Sequence, residues 1–76
     1  MPYVHVIVNG RRVRVPAGRL AGLELKQEAA AQGANLQVGF LLSMRAGRRY
    51  RTVDDEELVH VADGAEFVAV SRDDHS

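Results

Sequence analysis

Valine occupies every second position from Val4 to Val8, with His5 and Ile7 between them. This period of two, built from strong strand formers, predicts a strand. Asn9-Gly10 follows at once. A type I′ turn needs positive φ at both central residues, and this pair tolerates it best. Alternation then resumes over Arg11–Pro16, with Val13 and Val15 facing one way and Arg12 and Arg14 the other. The pattern predicts a hairpin whose valine face must be covered. Pro16 ends it, because proline has no N–H to give to a ladder.

The period changes after Gly18. Leu20, Leu23, Lys26 or Gln27, and Ala30 fall at helical spacing, while Glu24, Gln27, Glu28 and Gln32 can take the wet side. Alanine, leucine, glutamate and glutamine favour the helix, so the spacing predicts one near Arg19–Gln32. Gly22 costs about 1 kcal/mol relative to alanine inside a helix, which points to close packing or a late start. Gly33 supplies a stop, since it accepts the left-handed conformation past a helix end.

Strand character returns over Leu36–Met44, with Gly39 inside it, and again over Arg48–Val53 after a turn at Ala46-Gly47. Asp54-Asp55-Glu56-Glu57 can open a helical turn, because carboxylates favour a helix N-terminus. A short irregular stretch holding Leu58, Val59 and Val61 leads to the Asp63-Gly64 turn and a last strand, Ala65–Val70. The order is β-β-α-β-β-β, an α+β domain with one helix on a mixed sheet. It occupies residues 1–70 and leaves 71–76 as a flexible polar tail.

Seventy-six residues make one domain, which must draw its core from nearly all of its apolar side chains. The absence of cysteine rules out disulfides and thiolate metal sites and fits a cytoplasmic chain. No apolar run approaches a membrane span, and the N-terminus lacks a signal-peptide pattern. A net charge of zero argues against an overall electrostatic grip on nucleic acid.

Candidate chemistry is sparse. His5, His60 and His75 show no ligand spacing, so no metal site is expected. Neither Ser43 nor Ser71 sits in a nucleophile elbow, and the chain reads as a non-enzyme. Arginines cluster at Arg11, Arg12 and Arg14 and again at Arg45, Arg48, Arg49 and Arg51. They suit an acidic protein partner or a solvated face that offsets Asp54–Glu57. Nucleic acid is the weakest of these readings, because no aromatic residues are interleaved for stacking.

The element order resembles ubiquitin and its β-grasp relatives. Four runs narrow the likeness: Val8-Asn9-Gly10, Val15-Pro16, Leu20-Ala21-Gly22-Leu23-Glu24-Leu25-Lys26, and Val61-Ala62-Asp63-Gly64-Ala65-Glu66-Phe67. In order and spacing they are similar to the prokaryotic multiubiquitin-type domains over residues 3–70. Those domains occur singly or in tandem beside homologues of ubiquitin-activating and ubiquitin-conjugating enzymes and of deubiquitinating proteases.

The resemblance implies a bacterial protein modifier. An E1-like enzyme would use ATP to activate its C-terminal carboxylate, and an E2-like enzyme would carry it to a target amine. A processing or deconjugating protease would be a further partner. No cofactor of the domain's own is implied. The conjugation tail would be Ser71-Arg72-Asp73-Asp74-His75-Ser76, with the reacting residue undetermined.

Ubiquitin ends in two glycines, whereas the last glycine here is Gly64. Three explanations stand open: a protease trims the tail, the partner enzymes accept a bulkier terminus, or the domain is a β-grasp interaction module that is never conjugated. A ubiquitin-like sheet also presents an apolar patch. Leu41 (or Phe40 or Leu42), Val68 and Val70 are its candidates, with Arg48 and Arg49 as charged partner-binding residues. A slip of one residue would turn the apolar ones into the core instead. Lys26 is the only lysine. Chains joined through amines would need it or the N-terminal amine, unless Lys26 is a surface side chain laid along the helix.

Overall fold

The computed structural model describes residues 2–71. Its elements are β1 (Tyr3–Val8), β2 (Arg11–Pro16), β3 (Gly18–Ala21), α1 (Gly22–Ala31), β4 (Leu41–Ala46), β5 (Arg49–Val53), β6 (Leu58–Val61) and β7 (Glu66–Val70). Five strands form one sheet in the order β2-β1-β7-β4-β5, and β3 with β6 forms a small second ribbon. β1 and β7 run parallel at the centre, and the other pairings are antiparallel. One helix packed on this mixed sheet is the expected α+β ubiquitin-like β-grasp.

The first hairpin forms as its sequence dictates. Asn9 has φ 51° and Gly10 φ 80°, the double positive value of a type I′ turn. Val4 lies opposite Val15 and Val6 opposite Val13, so one face of the hairpin is all valine. Val6, Val8, Val13 and Val15 are fully buried, against a cluster that includes Leu25, Ala29, Leu42, Val53 and Phe67. Burial of each large side chain contributes roughly 1.5–3 kcal/mol.

The helix begins later than its apolar spacing suggests. Leu20 is not helical: β3 pairs with β6, with Leu20 opposite Val59 and Ala21 opposite Leu58. The stretch expected to be irregular is therefore a strand, because a partner from far earlier in the chain lies beside it. Both readings of Gly22 hold. It is buried as the first helical residue, and a Cβ there would press into the carbonyl oxygen of Asp54.

The acidic run opens no helix of its own. It caps α1 instead. The Gly22 N–H donates to the Glu57 carbonyl and the Leu23 N–H to the Asp55 carbonyl, both at 3.0 Å. Two donors that a helix start leaves unpaired are thereby satisfied. The Glu24 carboxylate also reaches back to the Ala21 N–H at 2.9 Å. Arg51 bonds the Glu57 carboxylate and holds its pKa below the usual carboxylate range.

Lys26 is the largest correction. It is 1% exposed, not a surface side chain. Its Nζ donates to the Phe40 carbonyl at 2.6 Å and pairs with Asp55 Oδ1 at 2.8 Å. Three segments that are distant in sequence are tied to one ammonium. In the folded domain that amine is enclosed and twice bonded.

The strand expected over Leu36–Met44 begins only at Leu41. Leaving the helix, residues 34–40 must travel to the middle of the sheet. Ala34 and Leu36 tuck into the core on the way, and Gly39 lies in a turn rather than inside a strand. Among the described residues, no helix is long and apolar enough to cross a membrane.

Candidate partner-binding face

Strand alternation decides which side chains the sheet turns away from the helix. On β7, Phe67 and Ala69 point into the core, so Glu66, Val68 and Val70 point outward. On β4, Leu42 is 1% exposed and therefore inward, which leaves Leu41, Ser43 and Arg45 outside. The register, open in the sequence, is settled: Leu41 lies opposite Val70, and Ser43 opposite Val68. Phe40 precedes β4 and packs at the margin of the core.

On β1, Ile7 lies opposite Glu66 across the central parallel pair. Leu41, Val70, Val68 and Ile7 thus form an apolar strip over three adjacent strands. Val70 is 50% exposed, and the other three are half-buried. Charges frame it. Arg45 pairs with Glu66 at 2.9 Å, and the Glu66 carboxylate raises the pKa of the guanidinium. Arg14 stacks 4.7 Å above the Tyr3 ring, and Tyr50 is half exposed beside Arg45. Such a face can exclude water at its centre and fix a partner's orientation at its rim.

The structure brings Leu41, Val68 and Val70 together, but not Arg48 and Arg49. Those two lie at the β4–β5 hairpin, whereas Leu41 opens β4, and the strand rises about 16 Å from Leu41 to Ala46. Sequence reasoning did not assign Ile7 or the Arg45–Glu66 pair to this face. The signal for Ile7 was its place between the buried valines of β1. The ion pair needed the β4–β7 register, which no local pattern supplies.

The face ends where the tail begins. Val70 closes β7, Ser71 is exposed, and the tail residues Arg72, Asp73, Asp74, His75 and Ser76 lie outside the described residues. Asn9 secures this end. Its Oδ1 accepts the Ala69 N–H at 2.8 Å, and its Nδ2 donates to the Ala69 carbonyl and to the Asn35 carbonyl, each at 3.0 Å. The turn residue prolongs β1 as a one-residue strand beside β7.

His5 is on the outer side of β1, and its backbone N–H bonds the Asp63 carboxylate at 2.9 Å. His60 is exposed on β6, and His75 falls outside the described residues. Among the described residues, no three His, Asp or Glu side chains converge as metal ligands.

Compared with known proteins, the chain matches the model of one family, described as Multiubiquitin, over residues 4–73. Neither a curated protein nor a solved structure gives a match.

Proposed function

The chain belongs to the multiubiquitin family, and on that premise we propose that it is a protein modifier rather than an enzyme. An E1-like enzyme activates its carboxyl tail, trimmed or intact, at the expense of ATP. An E2-like enzyme receives it and joins it to a target amine. A carboxylate is a poor electrophile at neutral pH, so the attack needs an activated acyl group. The folded body is the handle by which each enzyme holds the tail in place.

One observation carries this reading: the apolar strip of Ile7, Leu41, Val68 and Val70 includes the outward residues of β7, the strand that precedes the tail. An enzyme seated on that strip covers the end of β7, the last strand before the tail. A second reading, a module that binds partners without covalent attachment, needs only the same outward apolar strip.

Intact-mass spectrometry separates the two. The full chain is mixed with an E1-like partner and ATP. The modifier reading expects an AMP adduct, a thioester to the enzyme, or trimming within Ser71–Ser76. An unchanged mass assigns the chain to the interaction module.

A further inference from the structure

Arg48 and Arg49, which the apolar strip leaves aside, stand at the head of β5. In the order β2-β1-β7-β4-β5, this strand has a neighbour on one side only. The two-residue loop Gly47-Arg48, with φ 66° at its glycine, closes on the pair Ala46–Arg49. The backbone groups of that closing pair face each other across the turn. Antiparallel pairs alternate in this respect, so the backbone groups of Tyr50 and Thr52, opposite Arg45 and Ser43, turn to the open edge. The same count along the first hairpin turns Arg14 to the β2 edge, and there it is covered. Gln32 Oε1 accepts the Arg14 N–H at 2.9 Å, and Gln32 Nε2 donates to the Arg14 carbonyl at 2.7 Å. β5 has no such cover. Among the described residues, its edge groups meet only the Arg51 guanidinium, 3.4 Å from the Thr52 carbonyl.

The side chains along this edge are cationic, and residues 48–52 are all exposed. Arg49 and Arg51 share one face of β5, and Tyr50 and Thr52 share the other. Arg51 bonds the Glu57 carboxylate, whereas Arg48 and Arg49 have no acidic partner among the described residues. An open edge with free N–H and C=O groups takes up a further strand. Its charge decides which. A second copy of this chain, pairing through its own β5, would bring the same arginines face to face. An extended segment of opposite sign meets no such barrier. Its alternate residues fall opposite Arg49 and Arg51, where carboxylates accept paired guanidinium bonds. The residues between them fall opposite Tyr50 and Thr52, which suit β-branched or aromatic side chains. A nucleic-acid strand would offer phosphates to the arginines but no backbone N–H to the Tyr50 carbonyl.

We propose that the β5 edge is a docking site for an acidic, extended segment of a partner protein, which joins the sheet beside Tyr50 and Thr52 with its carboxylates on Arg48, Arg49 and Arg51. The ladder bonds hold the segment, and the arginines select its sign and its register. The site uses neither the apolar strip nor the tail, so it stands whether or not the chain is a modifier.

The test titrates the ¹⁵N-labelled full chain at low salt with a short peptide of alternating aspartate and valine, blocked at both ends. The Tyr50 and Thr52 amide protons should move downfield as they gain acceptors, and the Arg49 and Arg51 Nε–H signals should shift with them. The Arg14 amide, already held by Gln32, should stay in place. Asparagine in place of the peptide's aspartates should weaken binding roughly tenfold. Arg48→Gln with Arg49→Gln, at exposed positions that the fold does not need, should do the same. Methylating the peptide's backbone nitrogens keeps its charge but should abolish binding, because no donor then reaches β5. Equal binding of the methylated peptide would overturn the ladder. Silence at millimolar peptide, or shifts spread equally over Arg11, Arg12 and Arg14, would overturn the site. Movement of the Tyr50 and Thr52 amides with protein concentration alone would assign the edge to a second copy. Displacement of the peptide by an equal concentration of a single-stranded oligonucleotide would assign the arginines to nucleic acid. Either outcome overturns the proposal.

Discussion

Lys26→Ala is expected to lower stability by about 3 kcal/mol, the lower end of the range for removing one partner of a buried ion pair. The substitution takes a 1% exposed ammonium from between the Phe40 carbonyl and Asp55 Oδ1. The carbonyl loses its donor, and the carboxylate is left against the helix without its cation. Asp55 is itself 45% exposed and can turn partly to water, which places the effect at the lower end. For a domain of this size, the loss amounts to a fall in melting temperature of about 12–24 °C. Lys26→Met with Asp55→Asn should recover much of it, because apolar and neutral groups then replace both ions. Urea denaturation measures both variants. A loss below about 1 kcal/mol for Lys26→Ala would mean that the ammonium does not tie helix, loop and acidic turn together.

Asn9→Ala should cost more, about 4–5 kcal/mol, for a different reason. It removes three hydrogen bonds, each contributing roughly 1 kcal/mol net, and leaves the Ala69 N–H without its acceptor. It also places a Cβ-bearing residue without a polar side chain at φ 51°, which costs about 1–2 kcal/mol more. Asn9→Gly loses the same bonds but not the backbone ease. It should therefore be more stable than the alanine variant by roughly 1 kcal/mol. In both variants, hydrogen exchange should show lost protection at the Ala69 amide, since its acceptor is gone. Unaltered exchange there would show that Asn9 is only a turn residue and does not hold the end of β7.

These two side chains also mark how far the sequence was legible. Asn9-Gly10 announced its turn correctly because the requirement is local: two adjacent residues at positive φ. Nothing adjacent revealed that the Asn9 amide reaches Ala69 and Asn35. Lys26 sat at a helical position on a good helix former, where a lysine usually lies along the surface. Its burial depends on the acidic turn, which the fold brings back from beyond β5. Gly18–Ala21, whose Leu20 fell at helical spacing, and Leu58–Val61, which showed no period, became strands for the same reason, since each is the other's partner. On the candidate face, Val68 and Val70 followed from the alternation of β7. The choice between Leu41 and Leu42 waited on where β4 begins, and Gly39 gave no sign that the strand starts two residues beyond it.

The claim that the outer sheet face is the surface partners read is tested most directly by titrating the ¹⁵N-labelled full chain with an unlabelled E1-like enzyme. The strongest changes should fall on Ile7, Leu41, Val68 and Val70, with Glu24, Gln27 and Glu28 on the far side of α1 little affected. Leu41→Asp combined with Val70→Asp should weaken the complex roughly 100-fold or more, as loss of a central apolar anchor does. Changes centred on α1, or an affinity unmoved by the double substitution, would contradict the account.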